Sequence, residues 1–270
     1  MALVTSQQIS KFYNIYKNID VTFTKQVIEA TGLNTKQIFL KCINSQWPCI
    51  IYSTSMTGAK VIASLDESHF DQIRKANSLV SLRFSFTSFD KTDPIAFFVT
   101  AKVTGYNPYN KQKPNLHFIN LNYTQRPPDD LIEILGVLLE ANINSKKRKE
   151  ERILITVESL RKMGFKSKDV EVLIENVPRK GILRDVSFSG AKVIIIGIAK
   201  FLDQKQIVLK LKLEEQKKSL LMKGQVTRVD PVEGRKDLAA VGIQFDENAI
   251  PMEYKMIINH YLTHKRKSSE

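Results

Sequence analysis

Apolar positions along the first half of the chain follow two periods. Ile9, Phe12, Tyr13, Tyr16 and Ile19 fall three and four apart, which predicts a short amphipathic helix. Runs rich in β-branched and aromatic residues follow at Gln37 to Ile43, Trp47 to Ser53 and Lys60 to Ser64. After a helical interval from Glu67 to Lys75, more such runs occupy Leu79 to Phe86, Ile95 to Tyr106 and Leu116 to Tyr123. Ser81, Arg83 and Ser85 alternate with Leu82, Phe84 and Phe86, the pattern of a half-buried strand. Turn residues at Asn44-Ser45-Gln46, Lys91-Thr92-Asp93-Pro94 and Asn107-Pro108-Tyr109-Asn110 separate the runs. Pro127-Pro128-Asp129-Asp130 then opens a helix carrying Leu131, Ile134, Leu135, Leu138 and Leu139. The pattern predicts a small antiparallel barrel closed by a helix.

The second half repeats the plan. Ile153 to Val157 reads as a strand buried on both sides. Further strands are expected at Val170 to Ile174, Gly181 to Val186, Ala191 to Ile196, Ile207 to Leu213, Lys223 to Val229 and Ala240 to Phe245. A terminal helix from Met252 to Leu262 places Tyr254, Ile257, Ile258 and Tyr261 on one face. Lys102-Val-Thr-Gly-Tyr, followed by His117-Phe-Ile-Asn-Leu and a helix, is echoed by Gln225-Val-Thr-Arg-Val, Val241-Gly-Ile-Gln-Phe and a helix. This looks like a duplicated barrel. The fold class expected is mainly β with flanking helices, two small antiparallel β-barrels each followed by a helix. The domains are 1–141 and 153–270, joined by a basic linker over 142–152.

Composition changes the picture through charge. The 270 residues carry a net +13, of which 1–140 hold 14 basic and 11 acidic residues (net +3) and 141–270 hold 27 and 17 (net +10). The second half therefore favours anionic partners. Aromatics run the other way: 17 of 23 Phe, Tyr and Trp precede position 141, for a core or an interface. No apolar run approaches the ~18 residues of a membrane span, and Met1 to Gln8 lacks the regions of a signal peptide. A cytoplasmic, monomeric chain with no membrane association is expected. Cys42 and Cys49 have no metal-ligand spacing and read as buried thiols, so no metal is expected.

Two short stretches carry candidate chemistry. Asp185, Ser187 and Gly190 form D-x-S-x-x-G within Arg184 to Ala191. Alternation would put carboxylate and hydroxyl on one strand face, with the glycine allowing a reversal or a close ligand approach. The same residues are also ordinary turn formers. Upstream, Arg148 and Arg152 form R-x-x-x-R within Lys146 to Arg152, which holds five bases and two acids. That spacing puts both guanidinium groups on one side of a helical turn or arm, or belongs to a solvated charge run. The first half has neither motif. The sequence has no phosphate loop, nucleophile elbow, metal-binding helix motif or catalytic triad, and His69, His117, His260 and His264 are scattered. A binding module rather than an enzyme is expected.

R-x-x-x-R, then D-x-S-x-x-G-A some thirty residues on, then Lys223-Gly-Gln-Val-Thr-Arg-Val and Val241-Gly-Ile-Gln-Phe before a final helix, resembles the PilZ domain over about residues 146–265. With Gln46-Trp47-Pro48-Cys49 and Tyr123 to Asp130, the whole chain is similar to two-domain PilZ proteins of spirochaetes such as Borrelia. The resemblance implies a degenerate PilZ-like first barrel and a receptor for cyclic di-GMP in the second. It implies ligand contacts from Arg148, Arg152, Asp185, Ser187 and Gly190, with Lys147, Arg184 and Ser189 as further contacts. Lys147 stands where many members have another arginine, so one or two ligands per chain remain open. A downstream protein partner, unidentified, is implied as well. The rival reading is a sequence-tolerant DNA- or RNA-binding protein driven by the basic second half, indifferent to Asp185.

Overall fold

The computed structural model describes residues 5–87, 94–110, 112–197, 201–214 and 218–267. The expected turn at Lys91 to Asp93 and the last three residues of the tail lie outside them. The chain divides into two compact units, Met1–Leu139 and Glu140–Glu270.

In the first unit, α1 (Ser6–Tyr16), β1 (Val21–Thr22), α2 (Lys25–Thr31) and a single 3-10 turn (Thr35–Gln37) precede the barrel. Its strands are β2 (Phe39–Cys42), β3 (Ser45–Thr54), β4 (Gly58–Ser64), β5 (Leu79–Phe86), β6 (Ile95–Asn110) and β7 (Lys113–Tyr123), with α3 (Glu67–Lys75) between β4 and β5. They pair antiparallel around a closed ring, β2-β3-β4-β7-β6-β5 and back to β2, and β1 adds to β3. Val61, Leu82, Phe84, Ala101 and Ile119 point inward and are wholly buried. α4 (Asp129–Lys147) follows, burying Leu131, Ile132 and Leu135.

The second unit repeats the ring strand for strand. β8 (Ile153–Leu154) and α5 (Val157–Met163) lead into β9 (Asp169–Ile174), β10 (Val177–Val186), β11 (Gly190–Ile196), β12 (Gln206–Lys212), β13 (Ser219–Val232) and β14 (Arg235–Phe245), and α6 (Met252–Lys267) ends it. The ring is β9-β10-β11-β14-β13-β12, and β8 adds to β10 as β1 adds to β3. Val172, Val186, Val193, Leu209, Met222 and Val241 fill its core. The two barrels of the expected fold are present, and the sequence echo has a structural cause. In the first barrel Thr104 sits in a bulge between Val103 and Gly105; in the second Thr227 sits in one between Val226 and Arg228. The shared Val-Thr marks a bend needed to close each ring.

Four expectations change. The expected turn at Asn107 to Asn110 is strand: β6 runs through Asn110, with Asn107 opposite Phe118 and Pro108 opposite His117. Ile153 to Val157 is not a strand buried on both sides: only Ile153 and Leu154 pair, and Leu154 and Val157 are 71% and 86% exposed. The chain leaves the sheet because Thr156 caps α5, its hydroxyl accepting from the Ser159 amide while the Ser159 hydroxyl accepts from the Thr156 amide. α2 is likewise unforeseen, capped by Thr24 and stopped by Gly32 at φ +69°. Finally, the helix from Asp129 continues to Lys147 through part of the expected linker. Its polar last turns find partners within the second unit: Asn144 Nδ2 donates to Asn259 Oδ1 at 2.7 Å, and the Ser145 hydroxyl donates to the Asn142 carbonyl at 2.8 Å.

Candidate nucleotide-binding site

The R-x-x-x-R segment is the five-residue arm between α4 and β8. Arg148 still donates its amide to Asn144 O (2.9 Å), and the Glu151 amide donates to Arg148 O (3.2 Å), a single turn that ends in β8. Pairing of β8 with β10 then sets Leu154 opposite Asp185 and Ile153 opposite Val186. Arg152 enters β8 immediately beside Asp185, and its Nη1 donates to Asp185 Oδ1 at 2.5 Å. The arginine side chain is 46% exposed and the carboxylate 12%, so the pair sits at the barrel surface with the acid sunk beneath the base. Lys192, directly opposite Asp185 on β11, lies 3.8 Å from Asp230.

The structure therefore unites Arg152 and Asp185, while the other predicted residues fall into different roles. Ser187 is wholly buried. Its hydroxyl accepts from the Gly190 amide (3.1 Å) and its amide donates to Gly190 O (2.8 Å), closing the turn between β10 and β11. Gly190 is demanded by the barrel: a Cβ there would stand 2.3 Å from the Ile243 carbonyl oxygen of neighbouring β14. The expected strand face shared by carboxylate and hydroxyl does not form, because the chain turns at Ser187. Ser189, 3% exposed, directs its hydroxyl to Lys149 O (3.0 Å) and Glu150 Oε1 (2.9 Å) on the arm. Arg184 is exposed within a bulge of β10, its carbonyl accepting from the Ile155 amide at 2.9 Å. Lys147 is exposed at the end of α4, and Arg148 is half-buried. Among the described residues, no hydrogen bond or ion pair joins Arg148 to Asp185.

Sequence reasoning missed the residues that hold this geometry. Tyr254 of α6, fully buried, donates its hydroxyl to Ser187 O at 2.7 Å; burial, with the Asp185 carboxylate adding to it, pushes its phenol upward from the ordinary value. Lys149 pairs with Glu247, whose carboxyl is held below its usual range chiefly by that lysine. Glu151 accepts from Arg266 Nη2 of α6 at 2.6 Å. The available signals were the place of Tyr254 on an apolar helix face and the position of Lys149 and Glu151 between the two arginines.

The first barrel shows what the site becomes when its chemistry is removed. Pairing sets Thr22 opposite Ser53 as it sets Leu154 opposite Asp185, so Asp20 stands where Arg152 does and Tyr16 where Arg148 does. Ser53-Thr54-Ser55-Met56-Thr57-Gly58-Ala59-Lys60 then matches Asp185 to Lys192 position by position. The turn survives: the Ser55 amide donates to Gly58 O at 2.9 Å, and a Cβ on Gly58 would stand 2.4 Å from Leu121 O. Both guanidinium groups and the carboxylate acceptor are gone.

Among the described residues, no three His, Cys, Asp or Glu side chains gather as metal ligands, and no helix is long and apolar enough to cross a membrane. Cys42 and Cys49 are buried free thiols, and burial pushes Cys49 up to about 12.

A closed six-strand barrel entered by an arginine-bearing arm, and preceded by a topological copy of itself, defines a tandem PilZ-type protein. Known families agree: the PilZN3 domain matches residues 7–142 and the PilZ domain matches residues 146–263. The chain belongs to this two-domain PilZ family. It is 46% identical over 267 residues to a cyclic di-GMP binding protein of Treponema denticola, covering 99% of this chain and 85% of that one. Among solved structures it is similar to Borreliella burgdorferi PlzA in complex with c-di-GMP, at 22% identity and a TM-score of 0.43, over 95% of this chain and 98% of that one. It is also similar to Escherichia coli YcgR in complex with c-di-GMP, at 10% identity and a TM-score of 0.30, covering 90% and 89%.

Proposed function

We propose that the chain is a cyclic di-GMP receptor whose ligand is held by the arm and the second barrel. The observation that carries this reading is the Arg152–Asp185 pair, an arginine fork and a carboxylate acceptor set side by side at the barrel surface. A cyclic dinucleotide of guanine presents phosphates and base edges rich in acceptors, both matched by arginine, whose planar face also stacks on bases. Its guanines additionally offer N1–H and N2–H₂ donors, which require an acceptor. Asp185 supplies one, and adenine has no matching pair of donors. Leaving such a carboxylate unmatched costs about 1–3 kcal/mol, enough to discriminate. The family membership and the cyclic di-GMP binding relative at 46% identity support the same ligand.

In the free protein Arg152 occupies Asp185, so ligand entry exchanges an arginine–carboxylate contact for an arginine–phosphate and a guanine–carboxylate contact. Arg148, at the far end of the arm, supplies the second guanidinium. Ser187 and Gly190 keep in shape the turn that borders the ligand. Ligand binding bridges Arg148 and Arg152 across the tethered arm and thereby alters the arrangement of the two units, which is how a downstream partner senses it.

Calorimetric titration tests the reading. Wild type is expected to bind cyclic di-GMP and to reject cyclic di-AMP, with binding lost in Arg152→Ala and Asp185→Ala. Equal heats from the two ligands, or an Asp185→Ala protein that binds like wild type, would refute it.

A further inference from the structure

We infer that Ser189 and Tyr254 are positioning residues that fix the arginine-bearing arm, making the terminal helix α6 part of the nucleotide site. The inference rests on the reading of that site given above. Ser189 occupies an unspecified position of D-x-S-x-x-G and is not needed to close the turn, since Ser187 and Gly190 already do so. Its amide and hydroxyl go to the arm instead, the hydroxyl also lying 3.4 Å from that of Ser187. The amide and the hydroxyl both donate toward Lys149 O, at 3.3 and 3.0 Å, and the hydroxyl also lies 2.9 Å from Glu150 Oε1.

Ser189 is in turn held from behind. Its carbonyl accepts from the Phe245 amide at 2.7 Å, and the Phe245 ring meets Tyr254 edge-on at 5.8 Å. Tyr254 grips the other end of the same turn through Ser187 O. Arg266, on the last turn of α6, holds Glu151 directly. Each of the three residues between the two arginines is thus tied down: Lys149 by Ser189 and Glu247, Glu150 by Ser189, and Glu151 by Arg266. A loose arm would lose its backbone freedom when the ligand fixed it, weakening binding. Here that loss is already incurred on folding.

The first barrel separates this role from ligand contact. At the position of Ser189 it has Thr57, whose hydroxyl donates to the Lys17 carbonyl at 3.5 Å, and Lys17 stands where Lys149 does. The contact persists where Arg148 and Arg152 have become Tyr16 and Asp20. It is a device for holding the entering segment, and only in the second barrel does that segment carry arginines.

The test uses the full chain. Ser189→Ala is expected to weaken cyclic di-GMP binding by about tenfold and to speed hydrogen exchange of the Arg148 and Glu151 amides in the ligand-free protein. Ser189→Thr restores both, and Tyr254→Phe moves both in the direction of Ser189→Ala. In an Arg152→Ala background, at raised ligand concentration, Ser189→Ala adds little further loss, because it acts through the arm. Full additivity there would make Ser189 a ligand contact and overturn the inference. Unchanged exchange of the two amides would overturn it equally. A wild type that binds no cyclic di-GMP refutes the receptor reading alone, since the exchange of the free arm still decides whether Ser189 holds it.

Discussion

Gly190 is the most visible letter of its motif, and the barrel needs it whether or not a ligand ever binds. A methyl group there would collide with Ile243 O, a backbone atom of a paired strand that cannot step aside. Gly190→Ala is therefore expected to destabilise the second unit by about 1–3 kcal/mol, as over-packing does. Binding measured well below the unfolding transition of that variant separates a ligand contact at Gly190 from unfolding. Gly58→Ala, in the barrel without arginines, should destabilise the first unit comparably, because Leu121 O blocks the same position. Thermal unfolding of the two variants checks this, and an unshifted Gly190→Ala transition would contradict the packing argument. The letters of the motif were legible in the sequence, but their division of labour was not. Asp185 and Ser187 are two residues apart on paper, yet one faces the arm and the other is consumed by a turn. Only the hydrogen bonds of that turn separate the alternatives that spacing left open.

Elements were legible in proportion to how long their pattern ran. Glu67–Lys75 and Leu79–Phe86 appear with the boundaries that their periodicity predicts. α2 and α5 span seven residues each, too few turns for a 3.6-residue period to stand out, although Thr24 with Gly32 and Thr156 with Gly164 frame them as caps and stops. The β-branched run Ile153-Leu-Ile-Thr-Val157 was read by propensity, which the Thr156 cap overrides. α6 was legible as an amphipathic helix, but not the state of its imidazoles. Burial, reinforced by His264 with ring centroids 4.3 Å away, pushes His260 down to about 4 from an ordinary 6.5. A depressed imidazole binds fewer protons folded than unfolded, so its contribution to stability is present above about pH 6.5 and is lost as pH falls through about 4. The unfolding free energy of His260→Gln should accordingly fall less steeply over that window than that of wild type. Parallel slopes in acid titrations followed by denaturant unfolding would show that His260 is not desolvated.

For the molecule as a whole, one topology appears twice with its chemistry in one copy only. Tyr16, Asp20 and Ser53 stand where Arg148, Arg152 and Asp185 do, and the charge follows the same division, +3 before residue 141 and +10 after. Duplication was visible as the repeated Val-Thr; the degenerate copy of the motif keeps Ser55, Gly58, Ala59 and Lys60 where the second barrel has Ser187, Gly190, Ala191 and Lys192, but without an acid at Ser53 it reads as an ordinary turn. The arm is the place where a ligand would have consequences beyond its own barrel. α4 begins in the first unit, ends in the second, and is followed directly by Arg148. On the proposed reading, a ligand that bridges Arg148 and Arg152 biases the set of arrangements open to the two units. Solution scattering of the full chain is expected to give a different distance distribution with saturating cyclic di-GMP, and Arg148→Ala is expected to suppress the change more than it suppresses binding. The second arginine matters here because it lies nearest the helix, whereas Arg152 is already anchored to the barrel through Asp185. Identical scattering with and without ligand, in a protein shown by calorimetry to be saturated, would leave the receptor reading intact and remove the rearrangement. The signal would then have to pass through the surface of the second barrel alone.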